Sequence, residues 1–167
     1  MQKIKIRVCK LSDVKLLLNI HNSSVKGGYF GSKNIVKYKD HIEWLKKKLK
    51  ANDSKIYIGI LNEKKFGYVR FDKTTNKNYE VSIANISNFY GKGLGSQMLN
   101  LALRKFIKFK KPKKIFCFVK KFNIRSQKCF LKNGFKLSKF NRKKNLTINK
   151  INLKKEKYFE LSHNIFK

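Results

Sequence analysis

Apolar and charged residues alternate over Lys3–Val8 (KIKIRV), the two-residue period of a half-buried strand. Ser12 or Asp13 is then placed to cap a helix in which Val14, Leu17, Leu18 and His21 share a face, with His21 and Asn22 at its end. Gly27, Gly28 and Gly31 mark a loop. A second helix is expected from about Asp40, with Ile42, Leu45 and Leu49 on one side and His41, Trp44 and Lys48 beside them. Past the turn Asn52-Asp53-Ser54, two runs of branched and aromatic residues, Lys55–Leu61 and Phe66–Phe71, read as a hairpin joined by Asn62-Glu63-Lys64-Lys65. The polar stretch Asp72–Lys77 leads into a strand at Asn78–Asn85.

From Leu94 onward, Leu94, Met98, Leu101, Ala102, Phe106 and Phe109 recur at helical spacing. Pro112, the only proline, ends that helix region. Lys114–Val119 (KIFCFV) predicts a buried strand, and Ile124–Asn133 a helix opened by Asn123 and stopped by Gly134. Strand is expected again from Phe135, an exposed excursion over Asn141–Lys155, and a closing strand over Tyr158–Ser162. The order contains no repeat and no linker. It predicts one α/β (α+β) domain over residues 1–167, a mixed, mostly antiparallel central sheet with helices on both faces.

At 167 residues the chain is long enough to bury a core without staples. Cys9, Cys117 and Cys129 are odd in number and lack metal-ligand spacing, which reads as reduced structural thiols, no metal and a cytoplasmic protein. No apolar run reaches the length of a membrane span, and the start MQKIKIRV lacks a signal-peptide core. The charge is unusual, with 42 Lys+Arg against 9 Asp+Glu and a formal net charge of +33. A nucleic-acid partner is one explanation. The lysines, however, run from Lys3 to Lys167 without clustering, and Lys, Asn, Ile and Phe are abundant together, so a compositional origin is favoured. In either case the field draws anionic ligands inward.

Between the strand at Asn78–Asn85 and the helix from Leu94 lies Tyr90-Gly91-Lys92-Gly93-Leu94-Gly95-Ser96. Glycines permit a sharp turn and a close backbone approach, and the helix start beyond them offers unpaired N–H groups, a phosphate-holding arrangement. The spacing fits neither the P-loop nor the dinucleotide fingerprint. It resembles the acetyl-CoA pyrophosphate loop of the GNAT N-acetyltransferases, Arg/Gln-x-x-Gly-x-Gly/Ala, with Gly93 and Gly95 matching and Tyr90 standing where Arg or Gln is usual. A second stretch, Asn123-Ile-Arg-Ser126-Gln-Lys-Cys-Phe130-Leu-Lys-Asn-Gly134-Phe135, is similar to that family's Asn-x-x-(Ala/Ser)-x-x-x-(Tyr/Phe)-x-x-x-Gly-Phe signature. Together with the element order, the resemblance covers most of residues 1–140, with an acetyl-CoA-binding core at about 78–135. Finer likeness in His41-x-x-Trp44, Gly67-Tyr-Val-Arg70-Phe-Asp72 and Glu80-Val-Ser-Ile83 resembles the subgroup acetylating a 4-amino group on a nucleotide-linked sugar. Many of those have Arg-Asn where this chain has His21-Asn22.

The resemblance implies acetyl-CoA as co-substrate. Backbone N–H groups of Ile83, Ala84 and Asn85 would meet the thioester and pantetheine, those of Tyr90 to Ser96 the pyrophosphate, with Lys92 adding charge and Asn123 and Ser126 flanking the arm. Glu80 is the candidate base, with His41 as the alternative. His21, Asn22, Trp44 and Arg70 are candidate acceptor contacts. The family's usual thiolate acid is a Tyr, and Phe130 occupies that position here. The leading acceptor is an aminosugar nucleotide, the alternative a protein N-terminus such as a ribosomal one, with a basic RNA- or partner-binding module as the non-enzymatic reading. The protein is expected to be a monomer or homodimer.

Overall fold

The alternating pattern at the start forms β1 (Ile4–Val8), followed by α1 (Val14–Lys26) and α2 (Tyr38–Lys50). The hairpin is β2 (Ser54–Leu61) and β3 (Lys64–Lys73), and the next strand is β4 (Asn78–Asn85). Then come α3 (Leu94–Lys110), β5 (Lys114–Lys120), α4 (Ile124–Lys132), β6 (Lys136–Ser138) and β7 (Glu156–Leu161). This computed structural model describes residues 4–29, 34–74, 77–139 and 156–161. The expectations for Gly31 and for the Asn141–Lys155 excursion lie outside those residues. The seven strands form one sheet in the order β1-β2-β3-β4-β5-β7-β6, antiparallel throughout except for β4 beside β5. Among the described residues no helix is long and apolar enough to cross a membrane.

Each face of the sheet has its own core, as an amphipathic helix on an alternating strand requires. On one face α3 and α4 bury Met98, Leu99, Phe106 and Phe130 against Val69, Phe71, Val81 and Ile115. The rings of Phe71 and Phe106 stack there at 4.0 Å. On the other face α1 and α2 bury Leu17, Ile20 and Leu45 against Ile56, Ile58 and Tyr68. Neighbouring residues of β4 therefore belong to different faces, Tyr79 and Val81 to the α3 side and Ala84 to the α1–α2 side.

Four local expectations change. The hairpin turn is only Asn62-Glu63, both at positive φ (46° and 62°), because Lys64 already pairs with Leu61. α1 continues past Asn22 to Lys26, since the Asn22 amide is spent on the next loop: its Nδ2 donates to Val36 O and its Oδ1 accepts from Val36 N, each at 3.0 Å. α2 buries His41 and Leu45 rather than an Ile42-Leu45-Leu49 line, and Leu49 is exposed. In α3 Leu99 and Leu103 join the buried stripe, while Phe109, in the last turn, is 76% exposed.

One buried carboxylate ties the entry of α1 to the sheet. Asp13, just before α1, has a fully buried side chain. It accepts two bonds from Arg7 on β1 at 2.7 Å, one from Lys65 on β3 at 2.7 Å and one from the Lys10 N–H at 2.9 Å. Burial alone would raise its pKa, but the donors from Arg7, Lys65 and Lys10 outweigh it and hold the carboxyl well below the usual aspartate range. A depressed carboxyl stabilises the fold above its unfolded pKa and loses that contribution as pH falls. Asp13→Asn should cost about 2–3 kcal/mol at neutral pH. In urea melts the gap from wild type should narrow as pH drops below about 4; a gap independent of pH would assign the loss to shape alone.

Candidate active site

The site follows from where one ladder stops. β4 pairs with β5 only at Asn78↔Lys114, Tyr79↔Ile115 and Glu80↔Phe116. Beyond Glu80 the two strands part, yet β4 stays paired to β3 as far as Asn85↔Gly67, and β5 stays paired to β7 as far as Lys120↔Glu156. The edge of β4 that faces β5 is thus a strand edge without a ladder, and backbone groups left so seek another partner. A cavity of about 910 Å³ opens over this split.

One wall is the loop and the start of α3. Gly91 and Gly93 have φ of +77° and +71°, where other residues are strained, and a Cβ on either would meet nothing within 4 Å. No side chain caps α3 and its first turn holds no acid, so its leading N–H groups are available to an anion. Tyr90, Gly91, Gly93, Gly95 and Ser96 all face the cavity. Lys92 does not line it; its ammonium lies over the Phe89 ring at 5.8 Å. Leu94 turns its side chain into the core. Across the split, Asn123 caps α4 by accepting the Ser126 N–H at 3.2 Å, and both residues line the cavity.

The other wall is the α1–α2 face of the sheet. Glu80, Ser82 and Ala84 of β4 line it beside Tyr68 and Arg70 of β3 and His21 and Ser24 of α1. Burial pushes the Glu80 carboxyl above its ordinary range; Arg70 opposes this, and the carboxylates of Asp72 and Glu156 reinforce it. Asp72 is the register partner of Glu80, but it is spent on Arg70 Nε at 2.6 Å, Lys48 Nζ at 2.9 Å and Ser54 Oγ at 3.0 Å. Glu156 is held by Lys120 at 2.7 Å. Among the described residues Glu80 is therefore the cavity carboxylate that forms no ion pair.

Some expected contacts stand back from the cavity. His41 and Trp44 stack at 4.9 Å behind the wall, and neither lines it. His41 is buried, and burial, His21 and Arg70 bring its pKa down to about 4, so it is neutral at physiological pH and a weak base. Trp44 touches the site indirectly, with the Arg70 guanidinium over its ring at 5.4 Å. Asn22 is occupied by Val36, as described above. Phe130, by contrast, does line the cavity, packed edge-on against Phe135 at 5.0 Å, and brings no hydroxyl.

Other residues enter that sequence reasoning did not single out. Arg125 stands over the Tyr90 ring at 4.2 Å and donates to Tyr29 Oη at 3.1 Å, joining three segments around the cavity. Lys128 and Lys132 line the same wall, and with Arg125 they recur at helical spacing on α4, the one signal that pointed to them. Asn133 Nδ2 donates to Ser96 Oγ at 2.9 Å, binding the end of α4 to the start of α3. Tyr68 is new as well and, like Tyr90 of the expected loop, offers a phenol to the cavity; burial raises the pKa of both.

A family model described as an acetyltransferase (GNAT) domain matches residues 3–136. The chain belongs to the GNAT acetyltransferase family. It is an acetyl-CoA-using N-acetyltransferase, with the α/β fold the sequence predicted. No curated protein matches it in sequence. Among solved structures, it resembles a domain from Methanocaldococcus jannaschii at 25% identity and TM-score 0.76, covering 98% of this chain and 100% of that one. A Vibrio cholerae spermidine N-acetyltransferase, solved with CoA and spermine, aligns at TM-score 0.82 with 15% identity over 98% and 97% of the two chains. A Brucella melitensis ribosomal-protein-alanine N-acetyltransferase aligns at TM-score 0.78 with 16% identity over 95% and 99%. At these last identities the likeness is one of fold.

The residues present fit acetyl-CoA. The GNAT chain offers an open glycine loop free of acids, an uncapped helix start and an unladdered edge on β4. Asn85 Oδ1 on that strand is buried with no hydrogen-bond partner and lies toward Gly67 of β3. Gly93→Asp would place a strained residue and a negative charge in the loop. Calorimetry should show acetyl-CoA affinity falling by about 100-fold or more, two or more factors of ten in Kd; unchanged affinity would move the phosphates elsewhere.

Proposed function

We propose that this acetyltransferase transfers the acetyl group to the primary amine of an anionic small molecule, the 4-amino group of a nucleotide-linked aminosugar. The observation that carries the reading is Glu80, a raised-pKa carboxylate without an ion pair, at the last paired position before β4 and β5 part. An amine arrives mostly as an ammonium and attacks only when neutral, so a base near neutral pKa is what the reaction asks of the protein. When bound, acetyl-CoA supplies the activated acetyl thioester. Glu80 accepts the proton from the acceptor nitrogen. Its burial favours the neutral acid it then becomes, which makes the transfer easier than to an exposed glutamate. Ser82, Tyr68 and His21 surround the acceptor side and orient it, and the backbone N–H groups of Ile83 and Asn85, on the unladdered edge of β4, face the developing oxyanion.

Charge supports the acceptor class. A polyamine, the substrate named for the Vibrio relative, would bring several positive charges into a chain of net +33. One unpaired carboxylate suits one ammonium, and the surrounding field favours negative charge on the remainder of the acceptor, as on a diphosphate. Arg70, with its guanidinium on Trp44, stands on that side of the cavity. Thiol release from acetyl-CoA should be followed with a 4-aminosugar nucleotide, spermidine and a ribosomal-protein N-terminal peptide. The sugar nucleotide should lead in kcat/KM by about tenfold or more; a lead for either other acceptor would overturn the acceptor class and leave the acetyltransferase intact.

Glu80→Gln should lower kcat by about 10²–10⁴-fold. In wild type, activity should rise with pH through a pKa above the ordinary glutamate range, and the variant should lose that limb. A raised carboxyl contributes stability only at low pH and loses it as pH climbs, so the variant should melt no lower than wild type at neutral pH. A Glu80→Gln protein that melts early, or that keeps the pH limb, would make Glu80 structural.

A further inference from the structure

The glycines of the phosphate-side loop are needed for different reasons. At Gly91 and Gly93 the backbone demands glycine, and the space beside them is open. Gly95 is different: it sits inside the first turn of α3 in ordinary helical conformation, and a Cβ there would lie 2.9 Å from Asn85 Nδ2. On its far side the same carboxamide lies against β3. A Cβ at Gly67, on β3, would collide with Asn85 Oδ1 and lie 2.7 Å from the Ala84 carbonyl oxygen, so the amide already rests against bare backbone. Asn85 is thus wedged between β3 and the start of α3, with a glycine on each side.

We propose that the Asn85 side chain is a positioning residue that sets the height of the α3 N-terminus over the sheet, and that Gly95 is glycine to admit Asn85 rather than to admit the ligand. The first turn of α3 is held from the sheet side by this wedge and from α4 by the Asn133–Ser96 bond at 2.9 Å. Its N–H groups are otherwise uncapped, so their aim depends on those two contacts. A methyl at position 95 presses on an amide that is backed by the β3 backbone at Gly67, which directs the displacement into the helix start. A shift of this kind changes cofactor binding while leaving the acceptor wall untouched. The inference rests on the acetyl-CoA reading of the loop.

The test is a rescue. Gly95→Ala should weaken acetyl-CoA binding by about tenfold in calorimetry and raise KM for acetyl-CoA alike, with KM for the acceptor unchanged. Asn85→Ala alone removes the wedge and should also weaken acetyl-CoA binding, whereas in Asn85→Ala/Gly95→Ala the methyl occupies part of the space that the carboxamide leaves and should recover most of the loss. Ala is a better helix former than Gly, so propensity does not predict unfolding of the single variant. If it is too unstable to titrate, the same rescue is read in Tm. A double variant as weak as Gly95→Ala, or a single variant that binds like wild type, would overturn the proposal. No binding by wild type would overturn the cofactor reading, and this inference with it.

Discussion

The parallel pairing of β4 with β5 has to begin and has to stop. Three register pairs fasten the two strands at one end, and their absence beyond Glu80 leaves the edge of β4 without a ladder. Backbone polar groups in such an opening are costly unless a partner arrives, so the fold builds a demand for an extended, hydrogen-bonding ligand into its own centre. The remaining features are arranged about that split. The α1–α2 core supports the wall that carries Glu80, and the α3–α4 core supports the wall that carries the glycine loop.

Charge distribution divides structural from chemical carboxylates. Of the 9 acids in the chain, five have an ion-pair partner: Asp13 holds Arg7 and Lys65, Asp72 holds Arg70 and Lys48, and Glu43, Glu156 and Glu160 each hold a lysine. Apart from the one at Glu43, these pairs fasten strand ends and helix entries. Glu80 is left with burial and neighbouring carboxylates as its environment, which is why its pKa moves upward while those of Asp13 and Asp72 move down. Of the two carboxylates that line the cavity, Glu156 has a lysine partner and Glu80 has none, and a buried carboxyl without a partner is the kind whose pKa rises.

Much of this was legible in the sequence because it rests on local rules. The strand at Asn78–Asn85, the glycine loop and the Asn123 cap depend on period, backbone permissiveness and side-chain capping, each of which acts within a few residues. The element order was enough for the fold class, and the two motifs together with it carried the family resemblance. What failed depends on distance. An amphipathic stripe does not say which of its edges meets the sheet, so α2 turned His41 inward and the last turn of α3 left Phe109 in solvent. Asn22 reads as a helix end until Val36 is seen to claim its amide. Arg125, Asn133 and the Asn85 wedge belong to contacts between segments far apart in sequence, and no local spacing encodes them.

Amide hydrogen exchange along β4, with and without saturating CoA, tests the central claim most directly. If the split strands hold the cofactor, CoA should slow exchange in Ser82–Asn85 and in the Gly91–Ser96 loop, and leave the ladder at Lys114–Phe116 as it was. Protection confined to other segments, or none at saturation, would contradict the claim that the end of the β4–β5 ladder is the seat of the chemistry.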